Sequence, residues 1–212
     1  MSLDHSAVWE KIQELVESDR PTGESMSEVI QICAAGVPHA DWGQLSTLEY
    51  DADVVSLRPW IPGVFKKSPA PFVIRGLLVC LCNPSDSSRR VWADMYVGAV
   101  ADYDPEDEEE LNWVFNSSQS HYPEEGFAHS QSLRRIHEIG YASKTGLGND
   151  AEWPLCLAFA AFAVRSLLRK QTRECVKTRA PRVGVAVGFD SGDMLKIGEL
   201  TETGFVASGG MT

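Results

Sequence analysis

The fold depends most on residues 144–170, KTGLGNDAEWPLCLAFAAFAVRSLLRK. Ten consecutive positions in the middle of this stretch, Leu155 to Val164, carry no polar side chain. A helix that is apolar on every face must be covered on every face, so we expect a buried helix over 151–170 at the centre of the domain. The apolar run is much shorter than the roughly 20 residues that a membrane-spanning helix needs. The sequence therefore predicts a core helix.

Length and composition predict a single globular domain. The chain has 212 residues, of which 43% are hydrophobic and 23% are charged, values close to the globular average. We expect one domain over 1–212, in which an N-terminal helical hairpin at 1–38 precedes an α+β core at 39–212.

The charge balance is strongly acidic. Thirty Asp and Glu against 19 Lys and Arg give a formal net charge of −11. Such an excess would repel phosphates, so we expect neither a nucleic-acid partner nor a membrane partner. It is compatible with a basic protein partner, although an acidic balance also serves solubility, and the solubility interpretation is the simpler one.

The N-terminus and the cysteines indicate a cytoplasmic protein. MSLDHSAVWEK has no basic segment followed by an apolar run, so we predict no signal peptide. The five cysteines are odd in number and lack the spacing of a disulfide framework, which favours reduced, mostly buried thiols.

The first third of the chain predicts helices and then turns. Apolar residues recur at helical spacing over 4–19, and a second helix is expected to begin at Ser25 and end at Gly36 and Pro38. Many prolines over 39–71 favour turns and extended segments, with a possible short strand at 53–58.

The rest of the chain predicts a mainly antiparallel sheet packed on the central helix. Strands are expected at 72–82 and 91–103, joined as a hairpin, and at 182–189 and 194–200, where the Asp190–Asp193 turn separates them. A short helix should follow Ser130 as its N-cap and end near Gly140.

The acidic segment, residues 102–110, is the most unusual surface feature. It holds seven acidic residues and no basic one, and Trp113 and Phe115 follow it. A run of like charge is usually a solvated loop. The alternative is a contact surface for a basic protein, with an aromatic anchor beside the charges. The candidate contact residues are Asp104, Glu106, Asp107, Glu108, Glu109, Glu110 and Trp113.

No catalytic residue can be assigned from motifs. His121, Glu124, Glu125 and His129 lie close together, but their spacing matches no helical metal motif, so we expect neither a metal site nor a cofactor. One alternative remains, in which the terminal hairpin lies beside the start of the central helix. A carboxylate cluster could then bind a divalent cation or carry acid–base chemistry. Its members would be Asp150, Glu152, Asp190 and Asp193.

Three segments carry a resemblance to a known family. They are GLGNDAEWPLCLA at 146–158, VAVGFDSGD at 185–193 and WADMY at 92–96. Together they resemble an uncharacterised bacterial family found among the immunity-type proteins of polymorphic toxin systems. The resemblance implies a small cytoplasmic protein that binds a cognate toxin domain tightly and carries out no chemistry. It assigns no binding residue and does not cover the N-terminal hairpin.

The expected function is therefore that of a non-enzymatic immunity protein, which blocks the surface of a basic toxin. The alternative from another class is a hydrolase or metal-dependent enzyme that uses the carboxylate cluster. A third class, a scaffold subunit, would be indicated by a large exposed apolar patch.

Overall fold

The computed structural model describes residues 2–18, 20–107 and 110–208. At its centre lies α8, Asn149–Leu168, as the apolar run predicts. Every residue of this helix from Pro154 to Leu168 is buried except Ser166. The helix is long and apolar enough to cross a membrane, but 89% of its apolar window is buried inside the protein. A core helix meets the same criteria of length and composition.

The strands form one sheet in the order β3-β2-β1-β4-β5-β6. Four of the five strand pairs are antiparallel, and β1 pairs with β4 in parallel, so the α+β class with a mainly antiparallel sheet is confirmed. The parallel pair requires a long crossover, which includes α7 and α8. The strand bounds are β1 Gly76–Cys82, β2 Asp94–Val100, β3 Ser120–His121, β4 Arg182–Phe189, β5 Met194–Thr201 and β6 Phe205–Ala207.

The remaining helices precede the sheet or lie between its strands. The N-terminal hairpin is confirmed, but α2 begins earlier than the Ser25 start that the sequence predicts. Ser25 is instead a buried residue within the helix. The bounds are α1 His5–Glu17, α2 Thr22–Gly36, α3 Asp41–Leu45, α4 Tyr50–Ser56, α5 Trp60–Lys67, α6 Asn112–Phe115 and α7 Gln131–Gly140, followed after α8 by a 3₁₀ helix at Arg173–Val176.

The prediction of turns and a strand over 39–71 was wrong. Three short helices occupy this region, and α4 replaces the strand expected at 53–58. The two adjacent valines of α4 have strand propensity, but packing decides, since Tyr50 and Val54 share the buried side of the helix. Asp53 also accepts hydrogen bonds from the Ser130 hydroxyl at 2.7 Å and the Ser132 N–H at 2.8 Å. Burial and these contacts outweigh the local preference.

The sheet has two unlike faces. The inner face packs on α8, and its side chains belong to the main core, Leu77, Val79, Val97, Val185 and Ile197 among them. The outer face carries a separate cluster that includes Leu78, Cys80, Val100, Ala186 and Met194. Three aromatic rings from the segments that follow β2 lie against this outer face, because three of its glycines leave room for them. The pairs are Gly184 with Tyr103, Gly76 with Trp113, and Gly98 with Tyr122.

Candidate protein-binding surface

The acidic segment is held on the outer face by contacts near its start. The Tyr103 hydroxyl donates a 2.6 Å hydrogen bond to the buried carboxylate of Glu199. The buried ammonium of Lys196 donates to the carbonyl oxygen of Pro105 at 2.8 Å. These bonds fix the start of the segment to β5, and the ring of Tyr103 lies over Gly184 of β4. Glu108 and Glu109 lie outside the described residues.

The aspartates of the segment are held in place by backbone N–H groups. Asp104 Oδ1 accepts from the N–H of Glu106 at 3.0 Å, and Asp107 Oδ1 accepts from the N–H of Leu111 at 2.9 Å. Asp102 Oδ2 accepts from the N–H of Ser118 at 2.6 Å. That bond, and to a smaller extent the charge of Arg75, holds the pKa of Asp102 below its ordinary value. The Asp102 carboxylate is therefore firmly ionised.

Trp113 is not the exposed anchor that the sequence interpretation requires. Its side chain is only 4% exposed, and its ring meets that of Tyr103 edge-on at 5.0 Å between centroids. Phe115 is 55% exposed instead. The two residues stand about 200° apart around a helix axis, so the sheet can bury only one of them. Trp113 is thus buried against Tyr103 and cannot act as an exposed aromatic anchor.

Next to the segment lies an open cleft of about 650 Å³. Its charged lining consists of three aspartates and one arginine, and the rings of Tyr103 and Trp113 form part of its wall. The lining residues are Arg75, Asp102, Tyr103, Asp104, Asp107, Asn112, Trp113 and Asn116. The local charge is negative, as it is for the chain as a whole.

A row of aromatic rings, which motif analysis missed, lies beyond this cleft. The rings of Tyr122 and Tyr96 lie 6.0 Å apart between centroids, and those of Tyr96 and Phe127 lie 5.7 Å apart. We call Tyr122, Tyr96 and Phe127 the aromatic row. Tyr122 is 48% exposed and the other two are partly exposed. The alternation of β2 places Tyr96 on the outer face, but no sequence signal marks the two loop residues as its neighbours.

The His121 to His129 stretch does not form a cluster of ligands. His121 contacts Ser68, with 3.2 Å between His121 Nε2 and the hydroxyl, whereas Glu125 pairs with Lys67 at 2.9 Å. His129 Nδ1 lies 3.6 Å from the buried carboxylate of Asp94. Within the described ranges, no three His, Cys, Asp or Glu side chains are grouped so as to hold a metal ion.

The four carboxylates of the alternative cluster have separate partners. Glu152 is buried and accepts hydrogen bonds from the Tyr141 hydroxyl and the Asn83 amide, both at 2.7 Å. Asp193 accepts from the indole N–H of Trp153 at 2.9 Å.

The other two carboxylates, Asp150 and Asp190, raise the pKa of different thiols. Burial and, second, the charge of Asp150 raise the pKa of Cys33 to about 12. Burial and, second, the charge of Asp190 raise the pKa of Cys82, also to about 12. The bond between Trp153 and Asp193 places the terminal hairpin beside the start of α8, but Glu152 and Asp193 have separate hydrogen-bond partners, and no three acidic, histidine or cysteine side chains of the described residues are grouped as a metal site.

Comparisons of this chain with protein-family models, with curated proteins and with solved structures found no match. The two most distinctive surface features of the chain, the acidic segment and the aromatic row, both belong to the outer face of the sheet.

Proposed function

We propose that this protein is a non-enzymatic binding protein of the immunity type, which neutralises a cognate basic toxin domain by covering its surface. The observation that carries the proposal is the fixed acidic surface formed by residues 102–107 together with Glu110. In the part of the chain that the structure describes, no lysine or arginine forms an ion pair with its exposed carboxylates. Those carboxylates are Asp104, Glu106 and Glu110.

The backbone bonds of the segment make this surface suitable for binding. Association normally costs the ordering of loops and side chains, and a surface that is already fixed avoids part of that cost. The aspartates accept backbone N–H groups from the segment or from residues soon after it, and these neutral donors leave the negative charge in place. A fixed patch of negative charge speeds the encounter with a positively charged partner and disfavours acidic ones.

The alternative, a hydrolase or metal-dependent enzyme, has less support. It requires Asp150, Glu152, Asp190 and Asp193 to converge, whereas Glu152 and Asp193 have separate partners and no metal-type group of three such side chains occurs among the described residues. Glu152 in particular already receives two hydrogen bonds from side chains that fix it.

The proposal is tested with the protein encoded by the neighbouring gene. If that protein is the cognate toxin, its expression alone should stop growth, and co-expression of this chain should restore growth. The two purified proteins should also form a complex. A neighbouring product that is not toxic, or that remains toxic and unbound beside this chain, would contradict the proposal.

A charge-reversal pair then tests the contact surface. Glu106→Lys together with Glu110→Lys should slow association with the toxin about tenfold at low salt and weaken its salt dependence, since rim charges act mainly on the association rate. The matched control is Glu10→Lys with Glu17→Lys, which changes the net charge equally on exposed positions of α1. Equal effects of the two pairs would mean that only the net charge matters and that the acidic segment is not the contact surface.

A further inference from the structure

The aromatic row lies on the same outer face of the sheet as the acidic segment, and several contacts fix its position. Phe127 sits between two backbone bonds to β2, from the Val97 N–H to the Gly126 carbonyl at 3.0 Å and from the Ala128 N–H to the Met95 carbonyl at 2.8 Å. The indole N–H of Trp60 also donates to the Gly126 carbonyl, at 2.9 Å. The loop that carries Phe127 is thereby fixed to the sheet.

Tyr122 is fixed in a different way. It follows β3 directly, and β3 pairs with the end of β2. Its ring lies on Gly98, where a Cβ atom would collide with the ring. The absence of a side chain at that position lets the ring approach the strand closely while the residue stays 48% exposed. Rigid aromatic side chains of this kind lose little entropy when a partner covers them.

Two carboxylates lie close to these rings in the sequence. Glu124 and Glu125 lie between Tyr122 and Phe127 in the chain, and both are exposed. Glu125 pairs with Lys67, and no basic side chain in the described ranges forms an ion pair with Glu124. An aromatic face attracts a cation, and arginine more often than lysine, because the guanidinium is planar and weakly hydrated. Aromatic rings next to carboxylates should therefore bind an arginine side chain of a partner more tightly than a lysine side chain.

From this arrangement we propose that the aromatic row is the centre of the partner's footprint and receives arginine side chains of a basic protein, while the acidic segment forms its rim. This inference rests on the proposed function and specifies the chemistry that the partner must present. An interface with an aromatic centre and a charged rim is the usual anatomy of a specific protein contact. The charge of the chain, −11, complements such a partner.

The test uses two peptides of equal charge, hexa-arginine and hexa-lysine, titrated into the full chain. Both should bind through the acidic surface, but hexa-arginine should bind about fivefold tighter, because only the guanidinium stacks well on the rings. In Tyr122→Leu and in Phe127→Leu this ratio should fall to about one. Phe115→Leu is the matched control, since Phe115 is an exposed ring outside the row, and it should keep the ratio of the wild type.

The outcomes separate the two proposals. Equal affinity of the wild type for both peptides, or a ratio that survives both leucine variants, would overturn the role of the aromatic row. The double variant Glu106→Lys with Glu110→Lys should bind both peptides more weakly than the wild type does. The ratio of the two affinities should stay unchanged if the acidic rim and the aromatic row contribute independently. If that variant binds both peptides as the wild type does, the acidic surface is wrong and the aromatic row stands alone.

A measurement on the unmodified chain guards against misfolding of the variants. Hexa-arginine should shift the NMR ring signals of Tyr122 and Phe127 more than hexa-lysine does at equal saturation. Equal shifts would contradict the proposal even if every variant failed to fold.

Discussion

Arg165 is the largest side chain that is completely buried in the protein, with 1% of its surface exposed. Its guanidinium donates to the carbonyl oxygens of Leu15 at 2.5 Å, Ser18 at 2.8 Å and Arg20 at 2.6 Å. The carbonyls at the end of a helix have no partner within the helix, so this side chain of α8 supplies donors to the end of α1. A charged group at the end of an otherwise apolar run thus joins the hairpin to the core.

Replacing Arg165 by methionine should therefore destabilise the protein strongly. The apolar stem is retained, but buried carbonyls lose charged donors, and we expect a loss of about 3 kcal/mol or more in the free energy of unfolding. Arg135→Met is the control, because Arg135 is exposed and forms its ion pair among the described residues with Glu138 alone, so its loss should stay within about 0.5 kcal/mol. Urea denaturation measures both. Similar losses would mean that the buried bonds contribute little.

The buried carboxyl of Asp94 should make the stability of the protein depend on pH. Burial raises the pKa of Asp94 above its ordinary value, although hydrogen bonds from the N–H groups of Met95 and Ser130 oppose the shift. A carboxyl whose pKa is higher in the folded state binds its proton more tightly there. Its contribution to stability is full at low pH and is lost as the pH rises through the folded pKa.

Asp94→Asn should thus be at least as stable as the wild type at pH 7, since an amide oxygen can still accept both N–H groups. Asp94→Ala removes the acceptor and should cost about 1–3 kcal/mol. The advantage of the asparagine variant should disappear at low pH. Urea denaturation at pH 7 and at low pH checks these expectations, and a less stable asparagine variant at pH 7 would show that the ionised carboxylate is favourable.

At the scale of the elements, the outer face depends on which strands carry glycine. Gly76 and Gly184 are paired across the parallel strands β1 and β4, and a Cβ atom at either would collide with the ring above it. The rings are Trp113 and Tyr103, which contact each other edge-on. Two adjacent glycines thus create the space in which the acidic segment is anchored.

Gly184→Ala should loosen the acidic segment. The new methyl group meets the Tyr103 ring, and we expect a loss of about 1–3 kcal/mol, typical of overpacking. Hydrogen exchange over 102–107 should become faster at the same time. The control is Gly63→Ala in α5, where a Cβ meets nothing within 4 Å, and that change should stabilise the helix by about 0.5–1 kcal/mol. Unchanged exchange in Gly184→Ala would show that the ring does not anchor the segment.

At the scale of the whole molecule, the hairpin belongs to the same core as the sheet. Seven aliphatic side chains from α1 and α2 are buried against the rest of the protein: Val8, Ile12, Leu15, Val16, Met26, Val29 and Ile30. Burial of one such side chain contributes roughly 1.5–3 kcal/mol. Their combined contribution is as large as the entire net stability of a typical domain, about 5–15 kcal/mol.

We therefore expect that the fragment 39–212 does not fold by itself. Without the hairpin, α8 would expose apolar residues and the buried guanidinium of Arg165 would lose its three carbonyls. Size-exclusion chromatography and near-ultraviolet circular dichroism should show an aggregated or loosely packed fragment. A monomeric fragment with a cooperative thermal transition would instead make 1–38 a separate appendage.

Elements that depend on a local sequence pattern could be predicted, whereas features that depend on contacts between distant residues could not. The apolar run of α8 and the alternation in β4 and β5 are local patterns, and the elements appear where these patterns lie. Ser130 likewise caps α7, since its hydroxyl accepts from the Leu133 N–H at 3.1 Å. The region 39–71 was misjudged because proline content outweighed a weak helical pattern there.

The sequence by itself determined the central helix, the mainly antiparallel sheet and the position of the acidic segment, because periodicity and charge are properties of neighbouring residues. Only the tertiary structure decided that Trp113 is buried while Phe115 is exposed, that Glu152 and Asp193 have separate hydrogen-bond partners, and that Tyr96 meets Phe127. Such outcomes depend on which surfaces face each other across long stretches of chain. Whether an aromatic or acidic residue is buried or exposed, and which residue it contacts, depends on the glycines, strands and hydrogen-bond donors that surround it in the folded protein.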